Sequence, residues 1–291
     1  MSGVECIING ADLLGEVPIW CERSRKLWWV DVRVPALQSL DLSSNEHRKY
    51  PLRGKTVGSW GLRELGGMIV SMEDGIHSFD PSTGAQERLV EIEADKSGHR
   101  LNEGRVDRRG RFWVGTMHDS VREPIGNFYR VTPNFEVLKV FDGVNIPNSV
   151  VMSPDDRIMY FADTPANKIW VFDFDIDGGN ISNRRIFRDL TGHPGAPDGS
   201  AMDADGCLWN AEYGGSRVVR YTPKGEIDRI IQLPVSQVTC CAFGGEKLDT
   251  LYITTASQKL APEELVKQPL AGGLFAIMPG VTGLPEARFA G

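Results

Sequence analysis

Six apolar–aromatic runs recurring about every 45 residues, 32 glycines in 291 residues and a near absence of helical periodicity predict an all-β chain. The architecture that fits is a six-bladed β-propeller of four-stranded antiparallel blades. The runs are Lys26-Leu-Trp-Trp-Val-Asp31, Gly67-Met-Ile-Val-Ser71, Arg111-Phe-Trp-Val-Gly115, Ile158-Met-Tyr-Phe-Ala162, Cys207-Leu-Trp-Asn-Ala211 and Thr250-Leu-Tyr-Ile-Thr254. Their anchors, Trp28, Ile69, Trp113, Tyr160, Trp209 and Tyr252, stand 41, 44, 47, 49 and 43 residues apart. That period holds four short strands and their turns.

A second short strand follows each anchor run, as in residues 75–84, 168–173 and 217–225. These segments alternate apolar and polar residues and stop at Gly, Asp or Pro turns, the habit of an antiparallel meander. Residues 4–8 form a strand that precedes the first full repeat. It is expected to complete the sixth blade, so that no long sheet edge stays open. Residues 262–267 read as a short helix in a loop. Six units use up residues 1–291 as one propeller domain, and no linker or low-complexity stretch divides them. Asp173-Phe-Asp-Ile-Asp-Gly178 imitates the start of an EF-hand loop, but position twelve is Arg184, so it reads as a hairpin turn.

Charge and composition exclude several classes. The balance of 32 basic against 39 acidic residues, net −7, argues against nucleic-acid binding. No apolar stretch approaches the length of a membrane span, and the N-terminus lacks a basic n-region and an apolar h-region. Five scattered cysteines without a CxxC pair read as free thiols. The expectation is a cytoplasmic protein, monomeric or weakly oligomeric, with no nucleic-acid or membrane partner. No Gly-rich phosphate loop opens a helix and Gly-x-Ser-x-Gly is absent, which disfavours nucleotide cofactors and a serine hydrolase.

The innermost strand of each blade lines the axial channel and precedes the anchor by one hairpin. Counting back 11–12 residues gives Glu16, Asn102, Asn148, Asp198 and Cys240 in five blades, and Gly58 beside Ser59 in the second. Two acids on one axis repel each other unless a cation joins them. Oxygen ligands suit one hard divalent ion, Ca²⁺ or Mg²⁺, and tolerate Mn²⁺ or Zn²⁺. The ends of the anchor strands return to the same mouth. They place residues 31–33, Glu73, Met117 with His118 and Asp119, Asp163 with Thr164, and Glu212 with Tyr213 on a candidate pocket wall. His118 stands out there as a hydrogen-bond donor or proton carrier to substrate.

At these residues the chain resembles the SMP-30/gluconolactonase/LRE family over essentially its whole length. The markers are Leu14-Gly-Glu-Val-Pro18, Arg100-Leu-Asn-Glu-Gly104, Gly115-Thr-Met117, Pro147-Asn-Ser149, Pro197-Asp-Gly199, Phe243-Gly-Gly245 and Leu270-Ala-Gly-Gly-Leu-Phe275. The resemblance implies one divalent metal on Glu16, Asn148 and Asp198, with Asn102 near metal and substrate and Arg100 on substrate. It further implies hydrolysis of the cyclic ester of a sugar acid such as a glucono-, xylono- or arabinolactone. Asp198 would act as general base, with direct activation of water by the cation as the competing route. Three departures stand out: Glu103 replaces the usual Asp, Ser149 replaces the usual Gly, and His118-Asp119 stands where regucalcin-like members carry acids. Two other readings share the fold: a metal-dependent esterase or phosphotriesterase-like hydrolase on another substrate, and a non-enzymatic calcium-binding propeller.

Overall fold

The structure is a computed structural model that describes residues 3–291. Met1 and Ser2, part of the N-terminal stretch read above for a leader, lie outside the described residues. Six four-stranded antiparallel sheets follow one another along the chain. The inner strands are Gly15–Cys21, Val57–Leu62, His99–Val106, Pro147–Met152, Ala196–Met202 and Val238–Gly244. Each pairs with an anchor strand, in order Lys26–Asp31, Met68–Met72, Phe112–His118, Ile158–Asp163, Leu208–Tyr213 and Thr250–Thr255. All six anchors read from the sequence fall on these strands.

The ring closes as expected. The N-terminal strand Glu5–Ile8 pairs antiparallel with Leu274–Ile277, setting Cys6 opposite Phe275, and so supplies the fourth strand of the sixth blade. First and last segments of the chain are thereby joined by a hydrogen-bonded ladder, and both edges of that blade are accounted for. Pro262–Lys267 is a single short helix, and in the 173–178 stretch residues 173–175 end the strand Lys168–Asp175 while 176–178 enter the hairpin turn. All five cysteines are free. Among the described residues no helix is long and apolar enough to cross a membrane.

The anchors are core residues for a physical reason. Ile69, Trp113 and Trp209 are fully buried between sheets, where aromatic side chains cover the most area. Burial obliges each indole N–H to find an acceptor. Trp113 donates to Asp107 and Trp209 to Asp203, both at 2.8 Å. The same two carboxylates accept backbone N–H groups of the turn leading into the anchor strand, at Arg109 and Arg111 and at Asp205 and Cys207. One Asp six residues before the Trp thus fixes a turn and a core indole together.

The inner strands share a feature that strand patterning does not reveal. Every one is bulged, with register shifts between Glu16 and Ile19, Val57 and Ser59, Leu101 and Gly104, Asn148 and Val151, Pro197 and Ser200, and Val238 and Cys240. A bulge places two residues against one and re-aims a side chain. Here the unpaired positions include Asn102 and Asp198, whereas Glu16 and Asn148 stand at the last paired position before their bulges. Gly58 explains why the second blade contributes no side chain at this level. A Cβ there would meet the carbonyl oxygen of Leu101 at 2.2 Å, so the bulged third blade occupies that space.

Candidate active site

At the mouth where the inner strands begin lies a cavity of about 180 Å³ whose wall includes Glu16, Arg100, Asn102, Asn148 and Asp198. Five of the side chains singled out from the sequence therefore share one space. A larger depression of about 680 Å³ lies on the outer surface between Arg53 and Leu65. A smaller one, of about 40 Å³, lies at the other end of the inner strands, where Arg105 pairs with Glu286 at 2.9 Å. Neither gathers buried acids without an ion pair among the described residues: Asp107 in the smaller pairs with Arg111, and Asp80 and Glu87 in the larger are not buried.

Glu16 and Asp198 are both buried, and among the described residues neither forms an ion pair. Burial, and then the charge of Glu103, push the Glu16 carboxyl up to about 8. Asp198 is raised well above the ordinary carboxylate range by burial and by the Glu16 charge. Glu103 is pushed up to about 7, chiefly by burial, although the Ser149 N–H donates to it at 2.5 Å. Buried carboxylates that raise one another lack a counter-charge.

The carboxamides form a connected chain. Arg100 Nη1 donates to Asn102 Oδ1 at 2.7 Å. Asn102 Nδ2 donates to Asn148 Oδ1 at 3.0 Å and to the Pro147 carbonyl at 2.9 Å. Asn148 Nδ2 donates to Thr164 Oγ1 at 2.7 Å, and that hydroxyl donates to the Pro197 carbonyl at 2.8 Å. The amide orientations are set by this network, which leaves the Asn148 oxygen with a lone pair to spare. Arg100, 4% exposed, is held by Asp119 at 2.7 Å through Nε, and Asp119 also takes Arg33 Nη1 at 2.6 Å.

Backbone strain marks the same place. Val17 has φ 48° and Ser149 φ 55°, in the left-handed region that non-glycine residues seldom adopt and a β-branched one such as Val17 least of all. The Val17 N–H so positioned donates to Glu16 Oε2 at 3.3 Å. Ser149 recovers what a glycine would give by conformation alone: its hydroxyl donates to the Asp198 carbonyl at 2.5 Å. That bond ties the fourth blade to the fifth beside the two acids.

A hard divalent cation fits this donor set. Two uncompensated carboxylates and a carboxamide oxygen match oxygen-loving ions, whose sites mix charged and neutral oxygens. No group of three or more His, Cys, Asp or Glu converges among the described residues. With Asn148 the third donor, the set is two acids and an amide.

The mouth corrects several expectations. His118 does not line the cavity, whereas its neighbour Met117 does, because successive strand residues face opposite ways. The His118 Nδ1 accepts the N–H groups of Val121 at 2.9 Å and Ser120 at 3.2 Å, so the ring shapes a turn. Asp31, Glu73 and Asp163 are not pocket walls either. Each caps the loop that enters its own blade, Asp31 at Leu13 and Leu14, Glu73 at Lys55 and Thr56, Asp163 at Asn145 and Ile146. Glu212 is buried against Arg217 and the Tyr221 hydroxyl. Arg33, Met117, Thr164 and Tyr213 do line the cavity. Arg122, Gln258 and Lys259 complete it and were not foreseen. The signal existed, since Arg122 and Lys259 follow the ends of the third and sixth anchor strands, the positions that reach the mouth.

Fold and site together define a six-bladed propeller with an acid-and-amide centre on its axis. The chain belongs to the family described as SMP-30/gluconolactonase/LRE-like, whose model matches residues 14–257. It is 37% identical over 289 residues to a 6-deoxy-6-sulfogluconolactonase of Pseudomonas putida, covering 99% of each chain. It is 32% identical over 295 residues to regucalcin of Xenopus laevis, covering 99% of this chain and 98% of that one. Among solved structures, a calcium-binding regucalcin of Agrobacterium tumefaciens superposes with a TM-score of 0.95 at 30% identity, covering 99% and 97%.

Proposed function

We propose that this chain opens the ring ester of an aldonolactone to the free aldonic acid, with a divalent cation held by Glu16, Asn148 and Asp198. Family membership and 37% identity to a lactonase along nearly the whole chain make it a sugar lactonase. The observation that carries the metal and the site is the pair of buried carboxylates, Glu16 and Asp198, without a cationic partner in one cavity with Arg100 and Asn102. When bound, the cation would supply a counter-charge for the two acids and Lewis-acid polarisation of the lactone carbonyl.

The protein's own groups then divide the work. The Asp198 carboxylate faces the cavity and is the base available to take a proton from an attacking water. Arg100 is fixed at three points, through Asp119, Asn102 and the Leu101 carbonyl, which leaves Nη2 as its unengaged donor. A rigid cationic donor at that place stabilises negative charge developing on the carbonyl oxygen without reorganising. Asn102, bonded to both Arg100 and Asn148, positions the arginine against the ligand side of the cavity. The close walls of Leu14, Met117 and Ile146 limit the water around the ester.

The test is a panel of five- and six-membered aldonolactones, assayed with metal-stripped protein to which Ca²⁺, Mg²⁺, Mn²⁺ or Zn²⁺ is returned. Acceleration over spontaneous opening, restored by at least one ion and lost in Asp198→Ala, is expected. Absence of any metal-dependent acceleration across the panel overturns the proposal.

A further inference from the structure

The rim of the cavity is cationic to a degree that ion pairing does not explain. Arg33, Arg100, Arg122 and Lys259 all line it, and among the described residues the carboxylate that ion-pairs with any of them is Asp119, beside the cavity. Asp119 is spent on Arg33 and Arg100, one oxygen to each. Among the described residues Arg122 and Lys259 form no ion pair. Arg122 Nη1 donates instead to the main-chain oxygens of Asp119 at 3.0 Å and His118 at 3.2 Å, which aims the guanidinium without neutralising it. This concentration of positive charge sits on a chain whose net charge is −7. Like charges crowded together are costly unless a ligand of opposite sign repays them.

The layout assigns the charge to one end of the substrate. Glu16 and Asp198 belong to the inner strands, deep in the cavity, and are buried. Arg122 and Lys259 lie on the loops after the third and sixth anchor strands and are exposed. A lactone whose ester carbonyl reaches the acids directs its far carbon towards these loops. The Tyr213 hydroxyl and the Gln258 amide, to which Arg33 Nε donates at 3.1 Å, stand beside them as neutral donors and acceptors.

We infer that the preferred substrate is a sugar lactone carrying an anionic group on the carbon farthest from the ring ester, received by Arg122 and Lys259 with Arg33 behind them. The inference rests on the lactonase reading and narrows it. Sulfonate, phosphate and carboxylate share the required chemistry, a compact anion with several acceptor oxygens that suits arginine's fork and lysine's point charge. The environment of Lys259 agrees, since burial and the neighbouring Arg122 and Arg33 charges hold its ammonium below the usual lysine range.

The experiment compares kcat/KM for gluconolactone with lactones that differ only in bearing a terminal sulfonate, phosphate or carboxylate. At least one anionic lactone is expected to exceed the neutral one by ~10-fold at low salt, with the gap closing as salt is raised. The double variant Arg122→Gln/Lys259→Gln is expected to lower kcat/KM for that anionic lactone ~10-fold more than for the neutral one. Equal or better turnover of the neutral lactone, or an equal loss on both, overturns the inference while leaving the lactonase reading in place. A binding arm is independent of turnover: calorimetric titration with 6-phosphogluconate against gluconate. Should no lactone be hydrolysed, the lactonase reading falls. The anion site then stands only if 6-phosphogluconate binds ~10-fold tighter than gluconate and the double variant loses that difference.

Discussion

Asp119→Asn tests the support of the site more directly than a change to the acids themselves. Asp119 receives Arg100 Nε at 2.7 Å and Arg33 Nη1 at 2.6 Å, one on each carboxylate oxygen. An asparagine keeps one acceptor oxygen and turns the other position into a donor facing a guanidinium. One charged hydrogen bond is lost outright, and such bonds contribute about 1.5–3 kcal/mol. The side chain of Asp119 is 31% exposed, which discounts its charge, whereas that of Arg100 is 4% exposed and loses the counter-ion it has among the described residues. Breaking a fully buried pair costs about 3–5 kcal/mol, so a half-exposed one should cost about 2 kcal/mol. The assay is urea unfolding at pH 7, expected to show a lower midpoint with unchanged slope. A variant within about 0.5 kcal/mol of the parent would refute the account of Asp119 as the anchor of Arg100.

The same residue sets a pH dependence with a definite sign. Burial opposes ionisation, but Arg33 and Arg100 outweigh it and hold the Asp119 carboxyl well below the usual aspartate range. The folded protein therefore binds fewer protons at this site than the unfolded chain. The stabilisation is complete above the unfolded value of about 3.9 and is lost as pH falls through the lower folded value. The stability gap between parent and Asp119→Asn should be constant from neutral pH to about pH 5 and shrink in more acidic solution. A gap that grows on acidification would contradict the pairing. Because Arg100 lines the cavity proposed to receive the lactone, the variant should lose about tenfold in kcat/KM, a loss that Asp119→Glu partly restores.

Three further outcomes follow from the inner strands and their turns. Gly58→Ala should cost about 3 kcal/mol in chemical unfolding, because its Cβ meets backbone, the Leu101 carbonyl, at 2.2 Å rather than a movable side chain. Asp203→Ala should cost about 3–5 kcal/mol, since the fully buried carboxylate serves the Trp209 indole, Arg220 at 2.8 Å and two turn N–H groups. At Ser149 the order of melting temperatures should be parent, then Ser149→Gly, then Ser149→Ala. Both variants lose the hydroxyl bond to the Asp198 carbonyl, but only glycine relieves the φ of 55°. Ser149→Ala melting above Ser149→Gly would show that the strain is not where the structure puts it.

The blade order was legible because a propeller writes its repeat as side chains. A buried apolar or aromatic anchor at one position per blade is a local requirement, and where the anchor is Trp113 or Trp209 the stretches Asp107-Arg-Arg-Gly-Arg-Phe-Trp113 and Asp203-Ala-Asp-Gly-Cys-Leu-Trp209 meet it in the same way, with an Asp turn six residues earlier. The axial residues were legible for a related reason. The distance from inner strand to anchor is one hairpin, so a fixed count reaches Glu16, Asn102, Asn148 and Asp198. The rim was not. Acids at the ends of anchor strands look alike in sequence, yet Asp31, Glu73 and Asp163 are consumed in holding their own entry loops, and Asp119 is not. What separates them is which backbone N–H groups lie within reach, a property of loop geometry rather than residue type. His118 failed on alternation: a one-residue shift along a strand turns Met117 inwards and His118 away.

The bulges connect these two outcomes. A regular inner strand presents alternate residues to the channel, and along such a strand Asn102 and Glu103 would face opposite sides. In the third blade the register slips between Leu101 and Gly104, so both stand unpaired against the anchor strand. Asn102 turns to the cavity, and Glu103 turns towards the fourth blade to take the Ser149 N–H. In the fourth blade Asn148 enters the cavity while still opposite Ala162, and the bulge begins just after it, where Ser149, in the left-handed region, reaches the Asp198 carbonyl in the fifth. The third blade's bulge thus spends one residue on the site and the next on the neighbouring blade. The strain at Ser149 is thus the link through which the fourth blade fixes the backbone that carries Asp198. That arrangement makes the separation between two mutually repelling carboxylates a property of the ring rather than of either strand.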